Sequence, residues 1–199
     1  MMTPQDRWNH VVAAICDDVD GFEVRFKDES PFHKLLGFLS FWSWSRNDRG
    51  ERVYGYMDMT TTMGNKIWFP SEAYVQENLP ANTLEHEWVH MKDAQSFFGW
   101  LPFLPAAMNR VLFSILYLLV LPWPGFVRAY AELRAYRRTL ELIPEERHQV
   151  VKDEWIIPLF TGPAYFFMWP FPGHIHKLLD KPSPYKELMD RATPAERSE

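Results

Sequence analysis

Apolar side chains recur three and four positions apart at the start of the chain, at Trp8, Val11, Val12 and Ile15. That spacing predicts an amphipathic helix over positions 3 to 19, with Thr3 as its cap and Pro4 at the first helical position. From Phe22 to Lys27 the pattern changes to strict alternation, Phe-Glu-Val-Arg-Phe-Lys, which predicts a short half-exposed strand. Ser30-Pro31 opens a second apolar helix running to about Trp44, and a polar turn follows over positions 45 to 50. Positions 53 to 69 are dense in aromatic and β-branched residues around Gly64-Asn65, so they predict two paired strands joined by a tight turn and ended by Pro70.

The next periodic stretch is Asn82-Thr-Leu-Glu-His86-Glu87-Trp-Val-His90-Met-Lys-Asp93. It predicts a helix from Asn82 to about Phe98, stopped by Gly99. Asn82 with Glu85 three positions on fits a reciprocal cap, which gives Glu85 a structural task. At 3.6 residues per turn, His86 and His90 lie one above the other, so both imidazoles can reach one ion. Glu87 is rotated by about 100° from His86, placed to address a water on that ion without binding the ion itself. Two imidazoles and a carboxylate suit zinc, which brings the pKa of a bound water to about 7, within reach of a glutamate base. Asp93 reads as a solvated helix position, with support of a ligand histidine as its alternative role.

A further helix, dense in Arg and Tyr, is predicted from Phe126 to Arg138 and broken at Pro144. It offers the third ligand. Among the downstream carboxylates, those between Glu141 and Glu146 and at Asp153-Glu154 sit among other charges. Glu132 instead has Ala131, Leu133 and Ala135 around it, which suits an inward position. A buried carboxylate costs free energy unless a metal or cation meets it, so the choices are a metal or an ion pair with Arg128 or Arg134. Beyond Pro144, positions 145 to 154 read as a charged helix. His174-Ile-His176 has strand spacing and reads as a surface or packing feature.

Composition narrows the classes. The 199 residues suffice for one core, expected over positions 1 to 181, with a Pro-, Lys- and Glu-rich tail over 182 to 199 loosely ordered. A formal charge of −5 gives no basis for a nucleic-acid partner. The single cysteine, Cys16, excludes an internal disulfide and a cysteine-built zinc site. The polar N-terminus lacks a signal-peptide pattern, so cytoplasmic residence is the default. Positions 111–127 and 155–173 carry no charge, but both are interrupted by prolines. They are expected as buried core helices, with peripheral membrane contact as the alternative.

His86-Glu87-Trp-Val-His90, followed on a later helix by Glu132 in Glu-Leu-Arg-Ala-Tyr, resembles the gluzincin branch of the zincin metallopeptidases. Positions 60 to 70 resemble the edge strand above the zinc helix in that branch. The resemblance covers about positions 53 to 140. It implies an α+β, mostly helical zincin-like domain with a small antiparallel sheet before the zinc-binding helix. It implies one zinc on His86, His90 and Glu132, with Glu87 as general base in hydrolysis of a peptide or protein substrate. The chain departs from the branch at Tyr136, where an acid is common, and in a long apolar insertion after His90. Tyr130, Tyr136, His174 and His176 are the candidates for stabilising the oxyanion. Two rival readings remain. One is a di-iron bundle built on Glu87-x-x-His90 and Glu145-x-x-His148. The other is a metal-stabilised membrane-surface or partner-binding protein without catalysis.

Overall fold

The computed structural model describes residues 2–39, 45–46, 52–96, 124–162 and 169–192. The fold is α+β and mostly helical, with a small mixed sheet. Helix α1 (Pro4–Asp18) begins as its sequence dictates: Thr3 caps Asp6 N–H, the Asp6 carboxylate returns to Thr3, and Pro4 occupies the first turn. Its stripe, Trp8, Val11 and Ile15, is buried.

Strand β1 (Glu23–Phe26) pairs in parallel with β5 (Lys66–Phe69), and β5 pairs antiparallel with β4 (Thr61–Met63), giving the order β1-β5-β4. The sheet is therefore mixed, where an antiparallel one was expected. The turn between β4 and β5 holds Gly64 at φ +67°, the left-handed region that glycine enters without strain. Asn65 then fastens that turn to the Gly21 carbonyl. A separate two-stranded ladder joins β2 (Ser45–Arg46) and β3 (Arg52–Tyr54).

The long first strand expected from position 53 is broken into β3, a 3-10 turn at Tyr56–Asp58, and β4. Two polar groups break it. Asp58 accepts the Gly55 N–H at 2.8 Å. The fully buried Lys27 ammonium donates to the Tyr56 carbonyl (2.8 Å), the Met59 carbonyl (2.7 Å) and the Thr61 hydroxyl (2.7 Å). Carbonyls turned inward to a lysine are unavailable to a ladder.

Helix α2 (Pro31–Leu39) starts at its predicted proline; the expected continuation over 40–44 lies outside the described residues. After the short α3 (Glu72–Asn78) comes α4 (Ala81–Ser96), the helix of the histidines. The apolar insertion over 97–123 lies outside the described residues. Helix α5 (Pro124–Glu141) follows and packs along α4. Positions 145–154, expected as one helix, form a 3-10 turn at Glu145–Arg147, α6 (His148–Val151) and the start of a π-helical turn (Lys152–Ile156) that runs into α7 (Ile157–Thr161). Helices α8 (Pro172–Leu179) and α9 (Lys186–Ala192) complete the chain's described part. His174 and His176 thus sit on a helix opened by Pro172, where strand spacing was expected. No helix among the described residues is long and apolar enough to cross a membrane.

Two apolar clusters sit on either side of α5. Ala135 joins Trp8, Ile67, Phe69, Leu84, Trp88 and their neighbours under the sheet. Leu133, Tyr136 and Leu140 join Ile156, Phe160, Ile175 and Leu179 on the other side. The C-terminal segment, expected to be loose from position 182, is docked as far as Ala192. Met189 is fully buried in the first cluster, and Ser183 N–H donates to Glu141 at 2.7 Å. Its Pro-, Lys- and Glu-rich composition conceals one well-placed methionine and Tyr185.

Candidate metal centre

Helix α4 is fixed in place before any metal is considered. Asp18, at the end of α1, accepts from Trp88 Nε1 at 2.8 Å and from Lys92 at 2.9 Å. Glu85 does not cap the helix. It is buried and accepts from Arg138 Nε at 2.9 Å and from Arg138 Nη2 at 2.6 Å, with Arg7 on its other oxygen at 3.3 Å. Asn82 lies inside the first turn and accepts from Arg7. Long-range cations have displaced the local capping arrangement.

Asp93 is also buried. It pairs with Arg134 at 2.9 Å and accepts from the Tyr185 hydroxyl at 2.9 Å, so it is neither solvated nor bound to a ligand histidine. Burial pushes its carboxyl up to about 6, against the pull of Arg134 and Tyr185. The pairings of Glu85 with Arg138 and of Asp93 with Arg134 run in opposite senses, so α4 and α5 lie against one another head to tail.

The three expected ligands converge beside these two ion pairs, His86 and His90 between the two acids on α4 and Glu132 just before Arg134 on α5. His86 Nε2 lies 3.6 Å from Glu132 Oε2, and His90 Nε2 lies 3.8 Å from the same oxygen. One ligating atom from each of the three residues falls within 4.8 Å of the others. Bonds of about 2.1 Å to a tetrahedral zinc set neighbouring donors about 3.4 Å apart, so the two histidine–carboxylate distances need only a small contraction to close on an ion. Among the described residues this is the one group of at least three potential ligands so placed.

Ligation requires neutral imidazole and ionised carboxylate. Burial pushes His90 down, away from its protonated form, outweighing the attraction of Glu132. Burial pushes the Glu132 carboxyl up, but His86, His90 and Arg128 more than reverse this and hold it at about 2. At 3.6 Å the approach of His86 is an electrostatic contact longer than a good hydrogen bond.

Thr139 completes the support of His86. Its hydroxyl lies 3.1 Å from His86 Nδ1 and donates to the Ala135 carbonyl at 3.4 Å. With its hydrogen on Ala135, the Thr139 oxygen is free to accept Nδ1–H, the tautomer that ligation through Nε2, the nitrogen facing Glu132, requires. Glu132, Tyr136 and Thr139 are spaced by four and three residues, so α5 presents them on one face. Tyr136 packs edge-on against His86, with ring centroids 4.7 Å apart.

Glu87 stands outside the ligand set, buried, and its Oε2 accepts the Thr62 hydroxyl of β4 at 2.6 Å. The other candidates separate. Tyr130 is exposed with Arg134 over its ring, His174 packs on Trp169, and His176 pairs with Asp153 at 2.8 Å. Of the four, Tyr136 is the one that packs against His86. His148 is hydrogen-bonded to the Ile143 carbonyl at 3.0 Å and Glu145 is exposed, so the second pair required by a di-iron site is engaged elsewhere. A cavity of about 390 Å³ between the starts of α1 and α4 is lined by Thr3, Arg7, Leu79 and Asn82, among others, and by none of the cluster residues.

Thr62 and Thr139 are the participants that sequence reasoning missed, whereas Arg128 was named as a partner of Glu132. Thr139 carried a usable signal, two turns after Glu132 on the same helix. Thr62 carried none, because its partner lies 25 positions away. No protein-family model, no curated protein and no solved structure matches the chain.

Proposed function

We propose that the protein is a zinc-dependent metallopeptidase of the HExxH type, with His86, His90 and Glu132 as ligands and Glu87 as general base. The observation that carries this reading is the convergence of His86 Nε2 and His90 Nε2 on Glu132 Oε2 at 3.6 and 3.8 Å, with Glu87 beside the group but outside it. A purely structural metal site would give Glu87 no task.

A zinc ion held there supplies Lewis acidity and an acidified water. Glu87 takes the proton of the attacking water and delivers it to the leaving nitrogen, so one carboxylate serves both half-steps. Glu132 would offset the charge of the ion, and Thr139 would hold the His86 ring by accepting Nδ1–H. Among the described residues β4 is at the edge of its sheet, a position that suits pairing with an extended peptide and favours a peptide over a compact substrate.

The test is replacement of Glu87 by Gln. The variant is expected to retain one zinc per chain and to lose hydrolysis of a mixed fluorogenic peptide set. Activity persisting in Glu87→Gln, or a wild-type protein that takes up no zinc, refutes the reading.

A further inference from the structure

Strand β4 sends two adjacent hydroxyls to opposite sides. Successive side chains of a strand alternate, so Thr61 and Thr62 cannot share a partner. Thr61 Oγ1 accepts from Lys27 at 2.7 Å, and Thr62 Oγ1 donates to Glu87 Oε2 at 2.6 Å. In the second bond the hydroxyl is the donor and the carboxylate oxygen the acceptor. It is short, as hydroxyl-to-carboxylate bonds are.

We propose that Thr62 is the positioning residue of the general base. The proposal rests on the reading of this site as a zinc peptidase and deepens it. A glutamate side chain has three rotatable bonds, and its attachment to α4 alone fixes none of them at the carboxylate. The Thr62 hydroxyl fixes one oxygen and leaves the other to address water. Thr62 can do this because it is itself immobile. Its backbone is paired with Ile67, and its neighbour Thr61 is held by the buried ammonium of Lys27. The strand that would receive a peptide is therefore the strand that holds the base, and substrate engagement and base placement depend on one element. The sequence Thr61-Thr62 supplies both anchors, which explains a threonine pair here beyond β-propensity.

The experiment compares Thr62→Val, which keeps the shape and removes the hydroxyl, with Thr62→Ser, which restores it, in the zinc-loaded full chain. Two readouts are used: peptide hydrolysis and the affinity of acetohydroxamate, a small zinc chelator whose acidic proton is taken up by a correctly placed base. Thr62→Val is expected to lower kcat by about tenfold or more, with KM within about twofold, and to weaken acetohydroxamate by a similar factor. Zinc content stays at the wild-type value, the urea midpoint falls by no more than loss of one buried hydrogen bond requires, and Thr62→Ser recovers both functional readouts. Thr62→Val with wild-type kcat and acetohydroxamate affinity overturns the proposal. So does Thr62→Ser as impaired as Thr62→Val while folded and zinc-loaded. If Thr62→Val fails to fold, Thr62→Ser against Thr62→Ala decides by the same criteria. Failure of the underlying reading is separate: it is seen in the wild type taking up no zinc, or in Glu87→Gln remaining active.

Discussion

The ion pair between Glu85 and Arg138 permits a prediction with a definite order of effects. Both side chains are almost fully buried, at 2% and 1% exposure. The partners are not equivalent. Arg138 also donates to Asp190 at 2.6 Å and approaches Glu141 at 3.3 Å, whereas among the described residues Glu85 has beyond Arg138 only Arg7 at 3.3 Å. Arg138→Leu therefore leaves a buried carboxylate with one long contact to a side chain that is 40% exposed. Glu85→Leu leaves a guanidinium that still has two carboxylates.

Breaking a buried pair from one side costs about 3–5 kcal/mol, mostly from the charge left behind. Arg138→Leu is expected at about 4 kcal/mol and Glu85→Leu at about 2 kcal/mol, because its stranded charge is largely met. The double replacement leaves no orphan at Glu85 and is expected to cost less than Arg138→Leu alone. For a chain of this size about 4 kcal/mol corresponds to a fall of roughly 10 °C in Tm. Urea unfolding in a chelator, followed by tryptophan fluorescence, measures all three variants without a contribution from metal. The reasoning is refuted if Glu85→Leu is the costlier single change, or if the double variant loses the sum of the two singles.

Thr139→Val is expected to weaken zinc binding by about 10- to 100-fold through loss of the His86 support, with recovery in Thr139→Ser, read by competition with a chromophoric chelator. Lys27→Met is expected to cost about 2–4 kcal/mol in urea unfolding, since the Tyr56 and Met59 carbonyls and the Thr61 hydroxyl lose their common donor in a buried place. A loss below about 1 kcal/mol in that variant would mean water replaces the ammonium readily. Asp93 provides a pH-dependent case. Its folded pKa, about 6, lies above the usual 3.8, so the folded state holds the proton more tightly and gains stability as pH falls from about 6 towards 4. Relative to Asp93→Asn, the wild type should therefore gain up to about 3 kcal/mol between pH 7 and pH 4; a difference that shrinks or stays flat refutes the assignment.

Which parts of the site were legible from sequence follows from the range of the interactions. His86, Glu87 and His90 are related by helix geometry alone, and local periodicity suffices. Glu132 was legible because its flanking alanines and leucine declared an inward face, and an inward carboxylate demands a partner. Local rules failed where distant groups competed with them. The Asn82 and Glu85 pair satisfies a capping pattern, yet Arg7 and Arg138, remote in sequence, took both side chains. The strand expected through position 63 was shortened because Lys27 drew two carbonyls out of any ladder. Hydroxyl partners such as Thr62 and Thr139 are the hardest to foresee. Threonine is common on strands and helices for reasons of shape, so its presence signals nothing until a partner is known. The helical placement of His174 and His176 was available from Pro172, which sits at the first turn of α8.

The positions of the donors follow from how α4 and α5 are held, before any ion is considered. Ala135 of α5 is fully buried against Trp88 and its neighbours, and so small a side chain lets the backbones approach. Close approach alone leaves both helices free to rotate or slide. Glu85 with Arg138 and Asp93 with Arg134 remove that freedom, since each pair is satisfied at only one register. His86 and His90 fall between the two acids on α4. Glu132 lies on α5 just beyond Arg134, so the register that satisfies both pairs is also the one that brings the two imidazoles to the carboxylate. Tyr185 and Asp190 of the C-terminal segment bond to Asp93 and Arg138 respectively, closing the same two clamps from outside. The C-terminal segment is thus part of what holds the site, although it supplies none of its donors. The physical reason is that an ion pair with little access to water tolerates small displacement poorly, whereas apolar contacts between alanines tolerate it well. Removal of either clamp should therefore disturb metal affinity through geometry while leaving all three ligands in place.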